Sequence, residues 1–134
     1  MRITADTNVL VRAATLDDPT QAALATDLLR DEDVIAVTLP ALCESAWVLR
    51  RGYKWAAPDV VGFIVTLLGS PSVRVDRAAA EAGLAMLAAG RDFADGVIAF
   101  EGRRLVGEVF ASFDRTAIRL VAETGAATYL LSAE

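Results

Sequence analysis

Hydrophobic and polar positions follow two rhythms along this chain. Short runs rich in β-branched residues read as strands: Arg2-Ile3-Thr4-Ala5, Val34-Ile35-Ala36-Val37, Val73-Arg74-Val75, Glu108-Val109-Phe110-Ala111-Ser112 and Ala127 to Leu131. Between them lie longer alanine- and leucine-rich stretches with apolar residues three and four apart, the helical rhythm. The spacing predicts helices over Thr7 to Thr15, about Thr20 to Arg30 after the break at Asp17-Asp18-Pro19, and Pro40 to about Arg51, ended by Gly52. Further helices are expected from Pro58 to Leu68, closed by Gly69-Ser70-Pro71, and from Arg77 to Ala89, capped by Gly90. The last two run from Phe93 to about Arg104 and from Arg115 to Glu123.

Strand, helix, strand, repeated, predicts an α/β fold: a parallel sheet with helices on both faces and right-handed crossovers. Ligands in such sheets sit beyond the carboxyl ends of the strands. With 134 residues and no visible linker or repeat, one domain over residues 1–134 is expected.

Composition narrows the chemistry. There is no histidine, so Ser-His-Asp and Cys-His catalysis and histidine-ligated zinc are excluded. The single cysteine, Cys43, excludes an internal disulfide framework and fits a reducing cytoplasm. The longest nearly apolar stretch, Val60 to Leu68, is too short to span a bilayer, and the opening residues carry Asp6 rather than a signal-peptide pattern. A cytoplasmic protein without membrane contact is the expectation. A net charge of -5, from 13 basic and 18 acidic residues, argues against a broad basic surface while leaving room for a local basic strip.

The acids are more informative for where they fall. Asp6 follows the first strand and Asp114 follows the fourth, each at the edge where a site is expected, and each is also a natural helix N-cap. Glu44 shares a helical face with Ala41, Trp47 and Val48, and a charge on an apolar stripe needs a partner. Asp95 shares a face with Ile98 and Ala99, with Asp92 three residues earlier. Acids in a helix's first turn are favourable in their own right, so both readings stand for these too. If the four helices start at one sheet edge, Asp6, Glu44, Asp95 and Asp114 converge. Each close like-charge pair then costs on the order of 4 kcal/mol, against about 1 gained by a cap. Such a cluster calls for a cation or shared protons, and oxygen-only ligands select Mg²⁺ or Mn²⁺. A carboxylate-held metal suits phosphodiester hydrolysis.

Asp6-Thr7-Asn8-Val9-Leu10, Glu44 before Trp47-Val48-Leu49, Asp92-Phe93-Ala94-Asp95 and Ser112-Phe113-Asp114, in that order, resemble the PIN-domain nucleases, in particular the VapC toxins of toxin–antitoxin pairs. The resemblance covers essentially the whole chain. It implies a five-stranded parallel sheet in the order 3-2-1-4-5, Mg²⁺- or Mn²⁺-dependent endonucleolytic cleavage of RNA (tRNA, rRNA or mRNA), a homodimer, and neutralisation by a VapB-type antitoxin. It assigns metal-binding and catalytic roles to Asp6, Glu44, Asp95 and Asp114, and supporting polar roles to Asn8 and Ser112. Within it, Asp6, Asp95 and Asp114 are expected to hold the metal, and Glu44, with Asp92 as second candidate, to handle the attacking water. Ser112 stands where threonine is frequent, and Thr116 stands where some members carry a further acid, so a second metal lacks that ligand.

RNA contact needs positive charge, for which Arg50, Arg51, Lys54, Arg103, Arg104 and Arg12 are the candidates. Arginines at helix ends also complement the macrodipole without touching any ligand. Tyr53 and Trp55 could stack on bases or close the core. The competing reading is a doubly wound module, receiver-like or an inactive PIN-like domain, that acts only through protein binding. A receiver would need paired acids after the first strand and a lysine near the fifth, whereas Asp6 stands alone and Lys54 is the only lysine.

Overall fold

The computed structural model describes residues 1–132, with the expected strands and helices in the expected order. The strands are β1 (Arg2–Thr4), β2 (Val34–Ala36), β3 (Val73–Arg74), β4 (Val109–Ser112) and β5 (Ala127–Leu130). The helices are α1 (Thr7–Thr15), α2 (Pro19–Asp31), α3 (Leu39–Trp47), α4 (Ala57–Leu68), α5 (Arg77–Ala88), α6 (Phe93–Arg104) and α7 (Arg115–Glu123). Side chains fix most helix starts: Asp6, Asp18, Thr38, Asp76 and Asp114 each accept a hydrogen bond from a backbone N–H of the first turn they precede. The third helix differs from the sequence reading. It opens at Leu39 on the Thr38 cap, and its last turn, Val48–Gly52, is π-helical, closed by the Tyr53 N–H on the Val48 carbonyl at 3.1 Å.

All strand pairs are parallel, but the expected single sheet is not formed. The ladders give β1-β2-β3 and, separately, β4-β5. Among the described residues no ladder joins β1 to β4, so of the expected order 3-2-1-4-5 only the runs 3-2-1 and 4-5 are formed. The physical reason lies in how the second block is held. The main core, with Leu10, Ile35, Leu42, Leu49, Ile64 and Leu87, is built on β1-β2-β3 and its helices. The β4-α7-β5 block has its own small cluster of Met86, Ala117 and Val121. A cavity of about 420 Å³, lined by small side chains such as Ala82, Ala85, Gly96 and Ala99, lies between α5, α6 and α7. Met86, Phe100 and Leu120 also line that space without filling it, so the second block rests on a small cluster beside an open cavity rather than on the main core.

One face of the second block is left to solvent. Val109, Phe113 and Tyr129 alternate outward and are more than half exposed. The apolar faces of α2 and α4 are mostly covered: Ala22, Ala25, Val60, Ile64, Leu67 and Leu68 are buried, leaving Leu24 and Val65 outside. Tyr53 and Trp55 pack against the main core rather than standing free. Asp17 is not merely solvated, since it accepts from Thr15, Tyr53 and Arg12 and ties α1 to the turn beyond α3. Among the described residues no helix is long and apolar enough to cross a membrane.

The α5–α6 pair is the closest helix contact. A Cβ on Gly96 would lie 2.1 Å from the Ala82 carbonyl oxygen, and one on Gly83 would lie 2.6 Å from the Phe93 ring. Backbone cannot yield as a side chain tip can. Gly96→Ala therefore costs about 2–3 kcal/mol of stability. Gly62→Ala, in α4 where an added Cβ meets nothing, instead gains about 0.5–1 kcal/mol. Urea unfolding of both variants beside the parent checks the pair, and equal small effects at the two positions would remove the close-approach argument.

Candidate functional site

The turn between α5 and α6 sets up the site. Gly90 adopts φ +82°, a conformation costly for other residues, and the Arg91 N–H returns to the Met86 carbonyl at 3.0 Å. Asp92 then starts α6, with its carboxylate making no capping hydrogen bond. Phe93 is buried over Gly83 and pins the first turn, so Asp92 and Asp95 project from a fixed helix N-terminus. Asp114 does the same at the start of α7: one oxygen, Oδ1, accepts from the Thr116 and Ala117 N–H groups at 2.9 and 3.0 Å. Ser112 Oγ accepts from the Asp114 N–H at 3.0 Å, which fixes the turn that aims the carboxylate.

Electrostatics link these acids. Burial pushes the half-buried Asp95 carboxyl up, and the charges of Asp92 and Asp114 push it further, opposed by Arg91. Asp114 is held below its ordinary range, chiefly by the Ala117 N–H and then by Arg91, whose guanidinium pairs with Oδ2. Arg91 is the residue the sequence reading missed. Its signal was a basic residue adjoining the Asp92–Asp95 pair, directly after a glycine. Arg51 lies 3.9 Å from Asp92 in a looser, exposed pair.

The other expected site residues make no hydrogen bond or ion pair to this group among the described residues. Asp6 is exposed and accepts from the Val9 N–H at 3.1 Å, as a cap. Asn8 lines a groove between α1 and α2. Glu44 is exposed, and its carboxylate makes no hydrogen bond or ion pair among the described residues; of its face, Ala41 is buried and Val48 packs on the core, while Trp47 is 58% exposed, so Glu44 stands at the solvent edge of that stripe. Cys43 is partly buried, and burial pushes its thiol up, the opposite of an activated nucleophile.

Among the described residues, no three carboxylate or thiol side chains stand together closely enough to hold a metal ion as they are. The chemistry of the donors nevertheless fits a hard cation. Asp92, Asp95 and Asp114 are oxygen donors whose mutual repulsion is only partly relieved by Arg91. Of the basic candidates, Arg12 is tied to Gln21, Asp17 and Tyr53, Arg50 to the Trp55 carbonyl, and Arg104 to Asp76 while stacked 4.5 Å over Phe100. Lys54 and Arg103 are exposed and unpaired among the described residues, and Arg51 stands beside the acids.

Comparison with known families adds an independent finding. The family described as PIN domain matches residues 3–123, and the chain belongs to it. PIN domains are commonly metal-dependent nucleases. The match leaves the receiver-type reading without support. No curated protein matches the chain.

The two shifted carboxyls act on stability with opposite signs. A raised folded-state pKa penalises folding as pH rises above the unfolded value of about 3.9. Asp95→Asn therefore raises the melting temperature of metal-free protein at pH 7 by about 1–3 °C, after discounting for solvent screening, and the gain disappears near pH 3. Asp114 contributes stability above its unfolded value that is lost as pH falls through its lower folded value, so Asp114→Asn lowers the melting temperature at pH 7. Melting both variants across pH 3–7 checks the signs, and a loss in both at pH 7 would contradict the charge argument.

Proposed function

We propose that this PIN-domain chain is a Mg²⁺- or Mn²⁺-dependent endoribonuclease acting as the toxin of a VapBC-type pair, formed by residues 1–134 as one nuclease domain. The observation that carries the reading is Asp95, half-buried at a helix N-terminus between two further carboxylates, within a chain of a family that is commonly nucleolytic. Three acids in mutual repulsion are poor structure and good cation ligands.

In this reading Asp6, Asp95 and Asp114 hold the cation. Bound there, it supplies a water of lowered pKa and neutralises charge on the phosphate. Asp114 contributes a carboxylate kept ionised by the α7 N-terminus, and Ser112 keeps that carboxylate aimed. Glu44, exposed and unpaired among the described residues, and Asp92 are the residues free to accept a proton from the attacking water. Arg51 beside Asp92, with Lys54 and Arg103, is placed to meet RNA phosphates. Asn8 orients Asp6. The partners this reading assigns are an RNA substrate, a VapB-type antitoxin and a second copy of the chain, in the cytoplasm. The exposed apolar face of Val109, Phe113 and Tyr129 supports the need for a covering partner.

The test is incubation of total tRNA with antitoxin-free protein and Mn²⁺ or Mg²⁺. Discrete fragments are expected. They vanish with EDTA and fall at least about 100-fold with Asp95→Asn or Asp114→Asn. Intact RNA, across tRNA, rRNA and mRNA pools, from folded and metal-binding protein would favour the alternative of a PIN-like module that acts only by binding.

A further inference from the structure

We propose that Arg91 is the chain's own stand-in for the divalent cation: its guanidinium neutralises Asp114 in the metal-free protein and competes with the cation for that carboxylate. The inference rests on the reading of Asp95 and Asp114 as metal ligands, and gives a positioning role to a residue outside the expected set.

Both oxygens of Asp114 are in use. Oδ1 is committed to the N-terminus of α7 through two backbone N–H groups, and Oδ2 to Arg91. The helix cannot release its oxygen without uncapping its first turn. Oδ2 is thus the oxygen open to a cation, and a cation reaching it meets the guanidinium's positive charge there. The same guanidinium also acts on Asp95, opposing the charges of Asp92 and Asp114. One positive group thus serves two of the acids that a metal would bridge.

Arg91 is held there by charge rather than by a full set of hydrogen bonds. Its Nε–H is buried and has no acceptor among the described residues. An arginine serving only as a structural clamp satisfies its buried donors, and this one leaves a donor orphaned while its terminal nitrogen holds the carboxylate. Its backbone, by contrast, is fixed by the Gly90 turn, so the side chain alone has to move. Arg104 makes the contrast plain. It also pairs with a capping aspartate, Asp76, but carries a second bond to it and stacks on Phe100, and no further acid shares its charge. Arg51 provides the other contrast, a longer and more exposed pair with Asp92.

Competition and structural tethering predict different results. Mn²⁺ titration calorimetry compares wild type, Arg91→Gln and Arg51→Gln, each also melted with and without saturating Mn²⁺. Removing a unit charge a few ångströms from the cation is expected to tighten Mn²⁺ binding of Arg91→Gln about tenfold. The exposed Arg51 changes it less than about threefold. Metal-free Arg91→Gln melts below wild type, and the difference closes at saturating Mn²⁺. Equal affinities, with the same melting deficit in both states, would make Arg91 a structural tie and overturn the proposal while leaving the metal site standing. Equal tightening in both variants would reduce it to a general field effect and also overturn it. No Mn²⁺ binding by any of the folded proteins would sink the metal reading underneath. If Arg91→Gln does not fold, the wild type carries the test. The Arg91 Nε–H resonance, assigned by its loss in Arg91→Lys, shifts as Mg²⁺ binds; a resonance that stays fixed while Mg²⁺ binds refutes the displacement.

Discussion

The close approach of α5 and α6 is the contact on which the rest of the arrangement depends. Gly96 sits against the Ala82 carbonyl, and Phe93 fills the space that a side chain at Gly83 would take. Two glycines on two helices let the backbones meet, and the turn at Gly90 joins them. The consequence is positional. Asp92 and Asp95 flank a buried phenylalanine, so their carboxylates are aimed by a packed ring rather than by a loop. The same pair of helices then forms the platform on which α7 rests through Met86, Ala117 and Val121. One packing decision therefore sets both the acids of α6 and the support of Asp114.

That packing creates an electrostatic problem with a local solution. Helix N-termini favour acids, each by up to about 1 kcal/mol, and that alone would place aspartates at the starts of α6 and α7. Bringing two such termini together adds repulsion that the helix dipoles do not remove. The carboxyl of Asp95 is raised first by its burial and then by the charges of Asp92 and Asp114, and Arg91 is the partial relief. Asp114 caps its own helix, Asp92 and Asp95 stand at the N-terminus of α6 without a side-chain cap bond from Asp92, and the surplus negative charge belongs to the group.

Much of the fold was legible because strand and helix rhythms, Pro19, Gly52 and Gly90 are local signals. Element existence and order follow from such signals. The π turn at Val48–Gly52 was not legible, since its residues share the periodicity of an ordinary helix end. Nor was the separation of β4 from β1, which depends on how small side chains at the α5–α6–α7 junction leave space, a volume that no pattern of apolar positions encodes. For the site, acids after strands and in first turns were readable, as was the family. Glu44 misled in one respect: its stripe looked buried, and Ala41 and Val48 do pack inward, but Glu44 and Trp47 stand at its solvent edge. Arg91 escaped notice because its partner lies 23 residues away, a pairing made by tertiary structure alone.

The two-block sheet and the acid cluster are one geometric question. Asp114 rides on α7, and α7 is seated on α5 and α6 over a small cluster beside an open cavity. Asp6 rides on the other block, directly after β1. The distance between the acids on the two blocks is therefore set by the same packing that decides whether β1 meets β4. Arg91 reaches Asp114 from the fixed α5–α6 turn, so the ion pair ties that turn to the start of α7. A partly exposed ion pair contributes at most about 1 kcal/mol, which is modest beside the cost of crowding carboxylates. In the proposed function a divalent cation at Asp114 would replace the Arg91 charge with a stronger one, which would link its binding to the seating of α7 through a single carboxylate.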